Sequence, residues 1–404
     1  MSRIFRITAL CLILFSVFTV FYTTPGEDSF AKQADEGYYF MYAKTIKDMG
    51  IGQFPILLKH YLSNKVVQLF PHPSRIGHIL MTALWFEIFP NTFLSLARFS
   101  FFCFILFLII SFFFAKKYFG RDFAYLYTLL LSSNPLIMTS GRRALQDSNV
   151  NLFWALSIWF FLDFLIVKKR SKFIIFLLVY SISITVKESS LALLVFFVVA
   201  FLIYKYKYNR EISNRYLLGI IFIPSFMVGA TYIFLLKGFG NVIALLNFVL
   251  GAHFTKVVTN SYSLFCSGPW YKYIIDYLLI SPLTTLLTIG YFFHQLFIRK
   301  FEWKITYFML FLAIIFAIFS SMKYTKIVRF VMSLDIAISL FTVLAIYNLF
   351  NAKENKYKMY CIFIIVICIF FMNYRNFLYL FYQINIYDPV SYWLLGAMRM
   401  FPMS

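Results

Sequence analysis

Apolar stretches separated by short polar connections recur along the whole chain. About eleven of them are uncharged or nearly so, and they approach the roughly 20 residues that a helix needs to cross a bilayer. Several are a few residues short, which is ordinary where flanking Lys, Arg, Tyr or Trp side chains extend to the interface. The pattern predicts an all-α, polytopic integral membrane protein with spans at 7–22, 99–115, 123–138, 148–162, 173–186, 189–204, 216–236, 277–298, 305–322, 336–350 and 359–372.

The composition agrees with lipid as the main solvent. Of 404 residues, 62% are apolar and 13% are charged, whereas soluble domains are about half apolar and a quarter charged. The net charge of +21 is therefore interpreted as retention of cytoplasmic ends and attraction to anionic membrane lipids, with no nucleic-acid partner. The five cysteines lack metal-ligand spacing, so no cofactor is predicted, and a divalent metal is neither indicated nor excluded.

One apolar segment, 74–89, is ambiguous because Arg75, His78 and Glu87 interrupt it. Counted as a span it gives twelve helices, and left on the membrane surface it gives eleven. With eleven spans and a cytoplasmic N-terminus, more than half of the 37 basic residues fall in short cytoplasmic connections, in accord with the positive-inside rule. Twelve spans would move nearly all of these clusters outward, so the charge distribution predicts eleven.

This topology predicts a single domain, 1–404, in the plasma (inner) membrane. Two arginines precede the first span and no small-residue cleavage site follows it, which indicates a retained signal anchor. The segment 23–93 becomes a long first outer loop, and 373–404 becomes a short outer tail with no separate soluble domain. Within the loop, periodic apolar stretches predict helices lying along the membrane surface at 37–49, 54–69 and 74–89.

Charged side chains are rare inside the predicted spans and collect at their outer ends. Because charge at membrane depth is costly, such residues are the first candidates for chemistry. Each has an ordinary alternative. Acids at the start of a helix are favoured by the helix dipole, and arginines at the interface extend their charged ends toward water. Neighbouring residues of opposite charge form ion pairs, and basic side chains bind lipid headgroups. Their shared side and order still favour a site, built from Asp35, Glu36, His72, Arg98, Arg142, Arg143, Asp147, Lys187, Glu188, Asp276, Lys323, Lys326 and Arg329.

The first-loop segment Asp35-Glu36-Gly37-Tyr38-Tyr39 resembles the D-E-x-x-Y motif of polyprenyl-phosphate-sugar-dependent glycosyltransferases with the GT-C fold. Protein O-mannosyltransferases and the aminoarabinose transferases that modify lipid A are the members that it resembles. Their further motifs are matched in the same order by His72-Pro73, Leu96-Ala97-Arg98, Arg143 to Asp147, Lys187, 268–271 and Arg329-Phe330. Ser74 and Phe330 depart from the usual proline and tyrosine. The tail 373–404 stands where the aminoarabinose transferases have a large C-terminal domain, which leaves the acceptor open.

The resemblance implies that a sugar passes from a polyprenyl-phosphate donor to a hydroxyl of a lipid, glycan or protein acceptor, on the outer face and with inversion. Asp35 is the expected base, Glu36 is the second choice, and Asp147 is expected to orient the acceptor or Arg143. The residues expected to bind the donor phosphate are Arg98, Arg143, Lys187 and Arg329. Those expected to contact the substrate are His72, Tyr38, Tyr39, Trp270 and Tyr271.

A transporter or flippase of a lipid-linked sugar is the competing interpretation, with the same charges serving as its binding site. A non-catalytic membrane partner is a third. Transporters usually have repeated halves and charged or broken helices near the bilayer midplane. No internal repeat is visible, and the centres of the predicted spans are nearly free of charge. The charge pattern therefore favours the transferase.

Overall fold

A computed structural model of the chain describes residues 3–250, 266–298, 302–322, 326–350 and 356–397. Within these ranges every regular element is helical and no strand occurs, which confirms the predicted all-α class. The predicted site residue Lys323 and the end of the predicted outer tail, 398–404, lie outside the described residues. So do three basic residues of the predicted cytoplasmic connections, Arg299, Lys300 and Lys353.

The apolar stretches of the sequence form α-helices, with short 3₁₀ and π turns between some of them. The α-helices are α1 (Arg3–Tyr22), α2 (Asp35–Met49), α3 (Phe54–Ser63), α4 (Ile76–Ile88), α5 (Phe93–Phe119), α6 (Arg121–Ser133), α7 (Pro135–Arg142), α8 (Asp147–Val167), α9 (Arg170–Val186), α10 (Ala192–Ile203), α11 (Asn214–Leu235), α12 (Phe239–Leu250), α13 (Lys272–Ile280), α14 (Pro282–Ile298), α15 (Trp303–Ser321), α16 (Asp335–Leu349), α17 (Lys356–Asn376) and α18 (Ser391–Ala397).

Eight helical segments in the described ranges are long and apolar enough to cross a membrane, and the chain is an integral, multi-pass membrane protein. They are Arg3–Tyr22, Phe93–Phe119, Asp147–Val167, Glu188–Tyr208, Asn214–Leu235, Trp303–Ser321, Met332–Leu349 and Tyr357–Gln383. The other three predicted spans fall on shorter helices: 123–138 on α6 and the start of α7, 173–186 on α9, and 277–298 on α13 and α14. The predicted number of eleven spans therefore stays a prediction.

The predicted first outer loop contains the three expected helices, α2, α3 and α4, but α3 ends at Ser63 and a separate 3₁₀ turn, Val67–Leu69, follows it. Gly50 ends α2 with φ of 84°, a backbone conformation that favours glycine, and Pro55 lies in the first turn of α3. The ambiguous segment forms α4, whose 13 residues rise only about 20 Å. That length is below the roughly 30 Å of bilayer hydrocarbon and supports its assignment as a surface helix.

Packing divides the chain into two compact units, each built from separate segments. The terminal unit consists of Met1–Thr23, Phe104–Gly141 and Ser261–Ser404, and the loop unit consists of Thr24–Cys103 and Arg142–Asn260. In the terminal unit, α1 packs against α6 and α14 packs against α16.

In the loop unit, α4 lies between α2 and α9, and α9 also packs along α8. Asp35 and Glu36 begin α2, and Lys187 directly follows α9. An apolar cluster beside them joins Tyr42 and Ile46 of α2, Ile76 and Ile79 of α4, and Leu235 at the end of α11. Burial of such side chains is worth about 1.5–3 kcal/mol each, and it fixes α2 on α4.

Candidate functional site

Glu36 is fully buried at the start of α2, and its carboxylate is saturated with hydrogen bonds. Arg143 donates to it from Nε at 2.8 Å and from Nη2 at 2.9 Å. The backbone amides of Ala31 and Ala144 donate at 2.7 and 3.0 Å. Charge-assisted bidentate pairs of this kind are the strong ones, so Glu36 anchors the chain before α2 to the segment after α7.

Asp35 is the first residue of α2 and is half-buried. A carboxylate at this position is favoured by the positive end of the helix dipole. Tyr39, one helical turn later, is buried and its hydroxyl accepts a hydrogen bond from Nη1 of Arg75. Asp35 lies within electrostatic reach of both Tyr39 and Arg75. The two adjacent acids therefore differ: Glu36 is enclosed by donors, and Asp35 borders a cation and retains partial exposure.

Tyr38 has a different environment from Tyr39. Its ring stacks on Phe70 at a centroid distance of 4.5 Å and packs against the apolar cluster of α2 and α4. Its predicted contact with the substrate stays a prediction.

Arg75 lies directly before α4 and forms a bidentate pair with Glu188. Nε and Nη2 are 3.1 and 2.8 Å from the two carboxylate oxygens. Burial lowers the pKa of the Arg75 guanidinium, but the adjacent charge of Glu188 outweighs it and the pKa lies well above its ordinary value. Arg75 is therefore a permanent cation in this cluster.

His72 lies close to the same carboxylate. Its Nε2 is 3.6 Å from Oε1 of Glu188, and its Nδ1 contacts the hydroxyl of Ser74. These two contacts orient the imidazole ring, which the sequence predicts to contact the substrate.

Lys187 and Asp147 form a second buried pair, with Nζ 3.3 Å from Oδ1. Lys187 directly follows α9, and Asp147 is the first residue of α8. Lys187 and Glu188 are consecutive, so one short connection holds two ion pairs. The cations and acids that the sequence places in the first, second and third outer loops are thus brought together within the loop unit.

His78 of α4 is fully buried beside these pairs. Its Nδ1 is 3.3 Å from Nδ2 of Asn149, and its ring meets Tyr39 edge-on at 4.9 Å. Burial, followed by the charge of Arg75, lowers the pKa of His78 to about 3. At neutral pH the His78 ring is uncharged, and it packs as a neutral polar group against the ring of Tyr39.

Sequence reasoning missed the roles of Arg75 and His78, and it listed Glu188 among the outer charges without giving it a role. A signal existed, because Arg75 and His78 interrupt an otherwise apolar stretch, and buried polar groups need partners. The remaining phosphate candidate of this unit, Arg98, is half-buried in the second turn of α5.

In the terminal unit, Arg329 forms an ion pair with Asp388, with Nε 3.2 Å from Oδ1. The rings of Phe330 and Tyr387 lie 5.8 and 5.9 Å from its guanidinium carbon. Arg329 therefore combines a carboxylate partner with two aromatic faces, a setting suited to a planar cation.

Trp270 and Tyr271 are exposed in the same unit, at 62% and 45% of their surface. The loop before them is fixed by Lys326, whose Nζ donates to the carbonyls of Gly268, Pro269 and Ser320 at 2.9–3.1 Å. Burial lowers the pKa of Lys326, and the nearby Lys272 adds to that effect. Two accessible aromatic rings on a fixed loop suit stacking on a sugar.

Asp276, also in the terminal unit, is fully buried. Lys272 donates to it at 2.9 Å and Ser391 at 2.5 Å. Burial raises the pKa of Asp276. Among the described residues, no three His, Cys, Asp or Glu side chains are grouped so that they could hold a metal ion.

Comparison with known proteins places these observations in a family context. Residues 72–233 match the family described as dolichyl-phosphate-mannose-protein mannosyltransferase. The chain has no significant sequence match among curated proteins.

Two solved structures share the fold. ArnT from Cupriavidus metallidurans, in a crystal structure bound to undecaprenyl phosphate, aligns with a TM-score of 0.55 and 13% identity, over 90% of this chain and 62% of that one. The Archaeoglobus fulgidus oligosaccharyltransferase in its apo form aligns with a TM-score of 0.60 and 9% identity, over 91% and 55%. The chain thus spans about three-fifths of the first and about half of the second. It is a multi-pass membrane protein with the GT-C fold, and its segment 72–233 resembles the mannosyltransferase family.

Proposed function

We propose that this protein is a membrane glycosyltransferase that moves a sugar from a polyprenyl-phosphate donor to an acceptor hydroxyl, on the outer face and with inversion. The family match over 72–233 and the likeness to ArnT bound to undecaprenyl phosphate support the donor class. The observation that carries the proposal is the contrast at the start of α2. The carboxylate of Glu36 is held by Arg143, whereas Asp35 is half-buried and within electrostatic reach of Arg75.

In this mechanism Asp35 accepts the proton of the acceptor hydroxyl as its oxygen attacks the anomeric carbon. The bond from that carbon to the phosphate oxygen breaks, and the prenyl phosphate leaves with the bonding electrons. The transition state has oxocarbenium character, as in glycoside hydrolysis. A single displacement of this kind inverts the anomeric configuration. No nucleotide takes part.

Cations that hold the departing phosphate stabilise the charge that develops on it. Lys187 is the best placed candidate in the loop unit, because Asp147 fixes its ammonium in a buried setting at 3.3 Å. Glu36 holds the guanidinium of Arg143 through Nε and Nη2, and Arg143 stays a proposed phosphate ligand. Arg98 and Arg329 complete the proposed set. His72, Tyr38, Trp270 and Tyr271 are proposed for the sugar, together with the ring of Tyr39, whose hydroxyl is held by Arg75.

The experiment is a donor panel offered to the purified protein. Undecaprenyl- and dolichyl-phosphate sugars are supplied with candidate acceptors, and released prenyl phosphate is measured. Asp35→Asn keeps the size of the side chain but cannot accept the proton, so turnover should fall about 10²–10⁴-fold, the usual contribution of a general base. Donor binding should remain near normal.

Asp28→Asn is the matched control, because Asp28 is a fully exposed acid of the same loop; it should leave turnover unchanged. Equal turnover by the parent and Asp35→Asn would remove Asp35 from the mechanism. Passage of an intact donor across liposomes without release of prenyl phosphate would instead identify a flippase.

A further inference from the structure

Arg75 connects two parts of the loop unit. One is α2, which carries the proposed base, and the other is the connection after α9, which carries the lysine proposed for the donor phosphate. On one side its Nε and Nη2 hold both oxygens of Glu188. On the other side its Nη1 donates to the hydroxyl of Tyr39. The side chain is 13% exposed, so its guanidinium is held by the protein rather than by solvent.

Each end of this connection is adjacent to a proposed functional residue. Tyr39 follows Asp35 by one turn of α2, and residues four apart lie on the same helix face. Glu188 directly follows Lys187, whose ammonium is held by Asp147. The contacts of Arg75 therefore fix the position of the α2 face that carries the proposed base, relative to the lysine proposed for the donor phosphate.

The chemistry of arginine suits this task. A guanidinium presents several N–H donors in a rigid plane, so it can hold a carboxylate bidentately and still donate to a hydroxyl in a fixed direction. A lysine at this position would keep the charge but not the geometry. The neutral ring of His78 packs edge-on to the ring of Tyr39 at 4.9 Å and restrains it further.

We propose that Arg75 is a positioning residue of the transferase, which acts through Tyr39 and Glu188 to keep Asp35 and Lys187 in a fixed position relative to each other. This inference rests on the proposed function. Arg75 touches neither the sugar nor the reacting atoms. Small displacements of reacting groups cost rate more than binding, so its loss should lower kcat while the donor KM changes little.

The test compares Arg75→Lys and Tyr39→Phe with the parent in the prenyl-phosphate release assay. Each should lower kcat on the order of 10–100-fold, the scale of a misplacement near 1 Å, with the donor KM within about threefold. The double variant should be no slower than the slower single variant, because both changes remove one shared contact. Arg121→Lys, at an exposed arginine, is the control and should behave as the parent.

Three results would overturn the inference. An increase in donor KM with unchanged kcat would make Arg75 a phosphate ligand. A loss of thermal stability with parental kcat in the folded protein would make it structural. Parental kcat and KM in Tyr39→Phe would remove the contact from the reaction, and this isosteric variant decides the matter if Arg75→Lys does not fold. With an active parent and an inactive Asp35→Asn, any of these leaves the proposed function standing, whereas an inactive parent removes both.

Discussion

At the scale of single residues, neighbouring acids of α2 have opposite environments. Glu36 receives four hydrogen bonds in a site with no solvent exposure. Asp35 is half-buried and near Arg75. Successive residues of a helix point about 100° apart. Glu36 can therefore face the protein interior while Asp35 faces a partly exposed surface. The pair thus separates into a structural acid and a candidate catalytic acid.

Glu36→Gln should destabilise the protein more than it changes the chemistry. The substitution removes a charge from a buried pair and turns an amide N–H₂ toward the donors of Arg143 and Ala144. Breaking a buried pair costs roughly 3–5 kcal/mol, which should appear as a lower Tm in detergent. Asp35→Asn should leave the Tm near the parental value. A parental Tm in Glu36→Gln would show that the four hydrogen bonds contribute little to folding.

At the scale of elements, the close approach of α4 to the end of α9 positions the site. A Cβ added at Gly77 would meet the backbone carbon of Thr185 and the amide nitrogen of Val186, each at 3.0 Å. These are backbone atoms two residues or fewer before Lys187, and they cannot rotate away. Glycine at this position therefore lets the helix that follows Arg75 lie directly against the connection that carries Lys187 and Glu188.

Gly77→Ala should force α4 away from α9 and destabilise the protein by about 1–3 kcal/mol, the usual cost of overpacking. Gly229→Ala is the matched control, because Gly229 lies inside α11 and a Cβ there meets nothing within 4 Å. In that open helical position alanine should be neutral or stabilising by about 0.5–1 kcal/mol. Thermal unfolding of the two variants in the same detergent checks both; equal stability would refute the close packing.

At the scale of the whole molecule, the orientation in the membrane decides which face carries the proposed chemistry. The charge distribution predicts an outer first loop and a cytoplasmic connection between the spans 148–162 and 173–186. Both contain an exposed serine, Ser63 and Ser171. These positions report on opposite sides of the bilayer.

In a background with the five native cysteines replaced by alanine, Ser63→Cys should react with a membrane-impermeant maleimide in intact cells. Ser171→Cys should react only after the membrane is permeabilised. The reverse pattern would invert the topology and place the first-loop acids on the cytoplasmic side. Reaction of both in intact cells would contradict the number of spans between them.

The sequence alone determined the class of protein and the kind of elements it contains. Length, apolarity and the spacing of polar breaks specify helices locally, so all of the eleven predicted apolar stretches fall on helices. The three loop helices begin within two residues of their predicted starts, although α3 ends at Ser63 and not at 69. It also supplied the order of charged motifs, from Asp35 to Arg329, that led to the GT-C resemblance. The number of helices that cross the bilayer stays a prediction, because α6, α9, α13 and α14 are short.

Only the tertiary structure decided which charges are partners. Glu36 and Arg143 are 107 residues apart, and Arg75 and Glu188 are 113 apart, so no local pattern connects them. The burial of Glu36 and the partial exposure of Asp35 were likewise not readable from the sequence. They depend on where the folded chain places Arg143 and Ala144. Buried charges are tolerated only where partners from distant segments meet them, and their pairing therefore exists only once the helices have packed.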